Sequence, residues 1–349
     1  MLKYIFILCQ LVCSALCINN IPIYAISDLM HNAEQLLPLS IYENDKIDGI
    51  YIQLLWSAIE PKENSYNWST LDSQLNIIND ANANRTSKLL ISLSVRAGAN
   101  SPNWIKSTVP SYNFTVSPHD SNMSCTNVTI PQPWNVIYIN AYKSLISNLV
   151  NHLKDIDMYD QITIIKCGPI NQNTEELRLP SADAQINTGS CILSNATDVW
   201  VHAGYHTHLI IKSWIDVAHH VHKLFPYSVM AIEILENNAF PPIDSEIDVT
   251  DKIINYGINN FDNFAVQWDG LNTVSTAPKV IHAGLKGAIV GWQSNLFFGP
   301  KNGAGCYGDS IQTSTICDKA GFFDLIDFGI RHMGQYIEVW PIDILNFFI

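Results

Sequence analysis

Charge is scarce in this 349-residue chain. Asp, Glu, Lys and Arg together make up 15%, with 19 basic against 32 acidic residues and a formal net charge of −13. Lys and Arg nowhere cluster, which excludes a phosphate-binding surface and argues against a nucleic-acid partner. Beyond the first 17 residues there is no run of 18 consecutive apolar residues, so no membrane span is expected in the mature chain. CxxC is missing, as is the GxSxG elbow of serine hydrolases. Neither GxGxxG nor GxxxxGK[ST] directly follows a strand-like run, and the loop from Gly303 to Cys306 reads as a turn and not a phosphate cradle. The histidines at 202, 206, 208, 219, 220 and 222 fall on a loop and helix expected behind the barrel and read as a solvated face. No metal and no cofactor is therefore expected.

What the chain does have is apolar material, 47% of its residues, enough for a large core. It begins with Lys3 and an apolar stretch from Tyr4 to Cys17, with small Ala15 and Cys17 ahead of Ile18. That pattern predicts an export signal over residues 1–17 and a secreted, extracellular chain from 18 to 349. Export permits disulfides, and Cys306–Cys317 and Cys125–Cys191 are the expected pairs, with Cys167 a buried free thiol. Glycosylation sequons occur at Asn67, Asn84, Asn113, Asn122, Asn127 and Asn195.

Short apolar runs alternate with helical periodicity along the whole chain. The runs cover 21–27, 49–56, 88–95, 161–167, 227–235, 264–268, 288–293 and 335–340. Continuous apolar runs suit strands buried on both faces. Between them, 72–82, 140–156, 206–225, 250–261, 277–285 and 318–333 carry apolar residues at three- and four-residue spacing, with 31–42 a weaker first helix. Eight strands with intervening helices predict a single (β/α)8 TIM barrel, with a doubly wound open sheet as the alternative.

In a barrel, chemistry sits at the C-terminal ends of the strands. Those ends supply Trp56, Trp104, Trp268, Trp292 and Trp340. A flat indole stacks on the face of a sugar ring, and carboxylates and amides bind its hydroxyls. Arg96, Asn171, Arg178, Asp269, Gln293 and Asn295 are the polar companions expected to bind a carbohydrate substrate. Glu175, Glu176, Glu233, Glu236 and Glu338 are the carboxylates in reach. Glycoside hydrolysis needs two of them: one protonates the leaving oxygen, the other attacks the anomeric carbon or activates water.

The stretch from Asp48 to Asp72, with Trp56-Ser-Ala-Ile-Glu60-Pro61 at its centre, resembles the second strand and helix of clan A glycoside hydrolases. It is most similar to the family 42 β-galactosidase type, whose W-S-x-x-E-P-x-x-G-x-Y-x-[FW] signature it matches apart from Asn64 in place of Gly. The likeness covers residues 48–104. It implies a retaining mechanism, an acid/base Glu directly after Asn beyond strand four, and a nucleophile Glu at the end of strand seven. The chain departs on both counts: Asn171 is separated from Glu175 and Glu176, and Gln293 stands where the nucleophile belongs. A neutral amide is a poor nucleophile.

The expected acid is therefore Glu176 or Glu175, with Glu175 the more solvent-facing and the acid's pKa raised by apolar surroundings. Glu338 is the expected nucleophile or base, unless it forms an ion pair with Arg96 or Arg178. Glu233 is either a competing nucleophile or a buried, paired core residue. Glu60 is expected to fix its loop. The function expected is a secreted glycoside hydrolase. The alternative is a catalytically inactive carbohydrate-binding protein on the same barrel, suggested by Gln293.

Overall fold

The computed structural model describes residues 21–28, 36–116, 126–172, 174–181, 195–243, 247–272, 277–294 and 319–349. The expected signal, both expected disulfides, Asn122 and Asn295 lie outside the described residues. Cys167 is a buried free thiol.

Eight parallel strands close a barrel: β1 (Ile23–Asp28), β2 (Gly49–Leu55), β3 (Leu90–Arg96), β6 (Ile162–Lys166), β7 (Val229–Glu233), β8 (Phe264–Leu271), β9 (Ile289–Ser294) and β10 (Tyr336–Val339). Their order around the barrel is β1-β10-β9-β8-β7-β6-β3-β2, so sequential strands are neighbours and β10 closes onto β1. Every predicted run is one of these strands. The architecture is the (β/α)8 barrel and not the open sheet. Two further strands, β4 (Ser111–Val116) and β5 (Thr126–Pro131), form an antiparallel hairpin inserted after β3.

The outer helices follow from their apolar stripes. In Val136–Asp155, Tyr138, Tyr142, Leu145, Leu149 and Leu153 are buried at three- and four-residue spacing, and Asn135 caps the start by accepting from Ile137 N at 2.9 Å. Helix Val249–Asn260 is capped likewise by Asp248, which accepts from Asp251 N at 3.0 Å. Among the described residues no helix is long and apolar enough to cross a membrane.

The barrel's own centre is layered. At the N-terminal side Tyr24, Ile26, Tyr51, Ile164, Ala231, Ala265 and Tyr336 pack together. Glycines make room for the rings. A Cβ on Gly49 would stand 2.5 Å from the Tyr24 ring, and one on Gly291 would stand 2.2 Å from Tyr336 Cζ. Burial pushes the Tyr24 hydroxyl up to about 12, so these phenols stay neutral hydrogen-bonding groups.

The packing makes Gly291→Ala a clash with the buried Tyr336 ring. Overpacking of this kind costs about 1–3 kcal/mol. We expect that loss in urea unfolding, with the far-ultraviolet spectrum unchanged; an unaltered midpoint would mean that the Tyr336 ring moves freely.

Candidate active site

Alternation along each strand carries polar residues into the barrel above the aromatic layer. Two residues beyond Tyr336 is Glu338, and two beyond Ile164 is Lys166. Ala231 is followed likewise by Glu233, Ala265 by Gln267, and Tyr51 by Gln53. Ser92, Ser94 and Arg96 rise in turn along β3.

Lys166 is the hub. Its Nζ pairs with Glu233 Oε1 and with Glu338 Oε2, the latter at 2.7 Å. The two carboxylate side chains are 0% exposed and the lysine side chain 5%. Nζ also sits 3.4 Å from the centroid of the Tyr51 ring. Gln267 Nε2 donates to Glu338 Oε2 at 2.8 Å and to Glu233 Oε1 at 2.7 Å, and Gln267 Oε1 accepts from Tyr336 OH at 2.7 Å. Ser92 Oγ donates to Glu338 Oε1 at 3.2 Å. Burial pushes the Glu338 carboxyl up and the Lys166 ammonium down, and each charge pulls the other back.

A second tier lies toward the C-terminal rim. Arg96 pairs with Glu175, and Gln53 Nε2 donates to Glu175 Oε1 at 3.0 Å. Glu175 thus faces the interior, at 7% side-chain exposure, and not solvent as the sequence suggested. Arginine supplies a partner that its position in the chain did not reveal. Glu176 is buried too; its Oε2 lies 4.0 Å from Arg178 Nε, and its side chain is hydrogen-bonded to Asp269. Burial, then the neighbouring Glu176 charge, hold the Asp269 carboxyl well above the ordinary carboxylate range. The segment carrying both glutamates is fixed by Leu177 N, which donates to Glu233 O at 2.8 Å. It is clasped also from the β3 side: Gly98 has φ +54°, and a Cβ there would stand 1.8 Å from the Asn171 carbonyl oxygen. Asn171 itself is buried, its Nδ2 donating to Gly168 O.

Glu338 pairs with Lys166 and not with Arg96 or Arg178. Glu233 is the buried, paired residue that one reading expected. Gln293 is the direct neighbour of Glu338 across β9 and β10, buried, with Oε1 unpartnered among the described residues. The tryptophans divide. Trp56 and Trp292 are fully buried and are core residues in this structure, so their faces are already covered. Trp56 packs on Trp104, Tyr138 and Tyr142, and Trp292 on Trp268. Trp104, Trp268 and Trp340 are half-buried and keep some surface. Glu60 is a brace: it accepts from Trp56 Nε1 at 2.8 Å and from Asn64 N at 2.9 Å, and its carbonyl accepts from Trp104 Nε1 at 3.0 Å. Asn64 sits at φ 57°, the left-handed conformation that the signature's glycine would supply and that Asn tolerates.

Sequence reasoning missed Lys166, Gln53, Gln267, Ser92 and Tyr51. The available signal was the period-two recurrence of polar residues within strands otherwise read as uniformly apolar.

No family model and no curated protein sequence matches the chain. Solved structures do. The chain is similar to xylanase 10B from Thermotoga maritima, with TM-score 0.51 and 12% identity over 92% of this chain and 83% of that one. It is similar also to xylanase 10C from Cellvibrio japonicus in complex with xylopentaose (TM-score 0.49, 12% identity, 91% of this chain and 57% of that). A third is an exo-β-1,4-mannosidase from Opitutaceae bacterium strain TAV5 (TM-score 0.48, 11% identity, 92% and 51%). At such identities the likeness is one of fold alone, the (β/α)8 barrel.

Removing one partner of a buried ion pair leaves an uncompensated charge and costs about 3–5 kcal/mol. Lys166→Met is expected to lose that much in urea unfolding, and Lys166→Met with Glu338→Gln to recover part of it; equal stability of Lys166→Met and wild type would show that the carboxylates do not need the cation.

Asp269 gives a pH test. A carboxyl whose folded-state pKa is raised favours the fold below its unfolded value, about 3.9, and that contribution is lost as pH rises through the raised value. Asp269→Asn mimics the protonated form. Its melting temperature should exceed the wild-type value at pH 7 and converge with it below about pH 4; a constant difference at both pH values would refute the shift.

Proposed function

We propose that this chain is a secreted glycosidase in which Glu176 is the general acid and Glu338 the nucleophile or base. One observation carries the reading: Glu175, Glu176, Asp269, Glu233 and Glu338, far apart in sequence, converge inside one end of the barrel and share electrostatic contact with Arg96, Arg178 and Lys166. Two carboxyl groups in unlike surroundings are what glycoside cleavage requires. Glu176 and Asp269 form a hydrogen-bonded carboxyl pair that retains a proton, and that proton can pass through Glu176 to a leaving oxygen. Glu338, with an ammonium and two neutral donors turned on it, is suited to stay anionic. Trp104, Trp268 and Trp340 would meet the sugar face, and Asn171, Arg178 and Asp269 its hydroxyls. The signature around Trp56 and Glu60 supports the family 42 type among clan A enzymes. The leader-like residues 1–17 support export.

A second reading, a barrel that binds carbohydrate without cleaving it, draws on Gln293 and on the complete enclosure of Glu338. Turnover separates the two. On a panel of aryl glycosides, Glu176→Gln should lower kcat by about 10²–10⁴-fold, with the smallest loss on the most acidic leaving groups, which least need a proton. Glu338→Gln should lower kcat on every substrate alike. Saccharide binding by the wild-type chain with no product from any substrate would establish the second reading instead.

A further inference from the structure

The sequons are the sequence motif that sugar chemistry does not absorb. Asn67, Asn84, Asn113, Asn127 and Asn195 are all exposed. Two of them share one small surface. In the β4–β5 hairpin the register sets Asn113 opposite Thr129 and Thr115 opposite Asn127, so the sequons Asn113-Phe114-Thr115 and Asn127-Val128-Thr129 lie side by side on antiparallel strands. Strand alternation sends Phe114 and Val128 inward, where both are buried, with the Phe114 ring 4.8 Å from that of Trp200. The four polar residues are left on the outward face. Each sequon's threonine bonds the other sequon's asparagine: Thr129 Oγ1 donates to Asn113 Oδ1 at 2.6 Å, and Thr115 Oγ1 to Asn127 Oδ1 at 2.9 Å.

We propose that Asn113 and Asn127 are both N-glycosylated, so that a pair of glycans covers the outer face of this hairpin. The acceptor atom is Nδ2, while both cross-strand bonds engage Oδ1, so the folded hairpin keeps its bonds with the sugars attached. The donor is an oligosaccharide on a polyprenyl diphosphate. A bond forms between Nδ2 and the sugar C1, the C1–O bond to the diphosphate breaks, the diphosphate leaves with the electron pair, and Nδ2 loses one proton. Nothing is oxidised or reduced.

The hairpin has a physical need for such a cover. Among the described residues it pairs with no other strand, so each of its two strands has one edge outside any sheet ladder. Neither strand contains a charged residue, the usual device that keeps an edge from recruiting another chain. A glycan is bulky and solubilising.

The test is expression of the full chain, with its own first 17 residues, in a eukaryotic secretory host. Amidase release in heavy-oxygen water then marks each formerly glycosylated asparagine for mass spectrometry. The Asn113 and Asn127 peptides should both carry the label. Asn113→Gln and Thr115→Ala should each remove one and the same gel-mobility step, and Asn127→Gln and Thr129→Ala another, whereas Thr115→Ser and Thr129→Ser should keep both. Secreted protein unlabelled at either position overturns the proposal, and so does a chain that stays in the cell unmodified at both.

Discussion

An ammonium ion held between two carboxylates at the centre of the barrel is the constraint on which the interior depends. Barrel interiors are ordinarily filled with branched apolar side chains, which need no partners. Here β6, β7 and β10 each contribute an ionisable residue to one level. Removing any of these charges from water is costly, and the cost is offset only because each has several partners within hydrogen-bond reach. Lys166 has two carboxylates and an aromatic face; Glu338 has a lysine, an amide and a hydroxyl. A set of this kind has one good arrangement and many poor ones, so it fixes the rotamers of everything around it.

That rigidity propagates upward. Glu233 belongs to the buried set through its side chain and anchors the segment after β6 through its carbonyl, which receives Leu177 N. Two residues before that contact stands Glu175, and next to it Glu176. The residues at the rim are therefore positioned by the same strand that completes the charge cluster. Arg96 and Gln53 then draw Glu175 inward. At the end of the seventh barrel strand stands an amide, Gln293, and a carboxylate lies one strand to the side: Glu338 is paired with Gln293 in register, and adjacent strands stand about 4.8 Å apart.

The eight strands and most helices were legible in the sequence because burial on both faces writes itself as continuous apolar runs. The same signal concealed the interior chemistry. A strand buried on both sides shows no contrast between its faces, so Lys166 at the end of Ile162–Lys166 reads as a boundary residue and Gln267 as an interruption. Their meaning comes from what neighbouring strands set beside them, which sequence separation hides: Lys166 and Glu338 are 172 residues apart. The β4–β5 hairpin was missed for a related reason. Its outward face is Asn and Thr, residues that weigh toward loops, while its inward face is apolar only because Trp200, far along the chain, stands against it. Glu175 was read as solvent-facing since nothing in its own neighbourhood foretold Arg96.

The most recognisable stretch of the chain turns out to be structural. Glu60 spends both carboxylate oxygens locally, one on the Trp56 indole and one on the backbone of Asn64, and its carbonyl holds the Trp104 indole. Trp56, fully buried, then packs on Tyr138 and Tyr142, which donate to the carbonyls of Pro169 and Val95. The motif thus clamps the loops after the second and third barrel strands to the helix Val136–Asp155 and, through Pro169, to the start of the segment that carries Glu175 and Glu176. Asn64 satisfies the same backbone conformation as the glycine it replaces. A signature of this kind can persist for architectural reasons whatever becomes of the chemistry above it, so likeness over residues 48–104 bears on how the barrel mouth is built. Whether a bond is broken there depends on the interior carboxylates, which the signature does not contain.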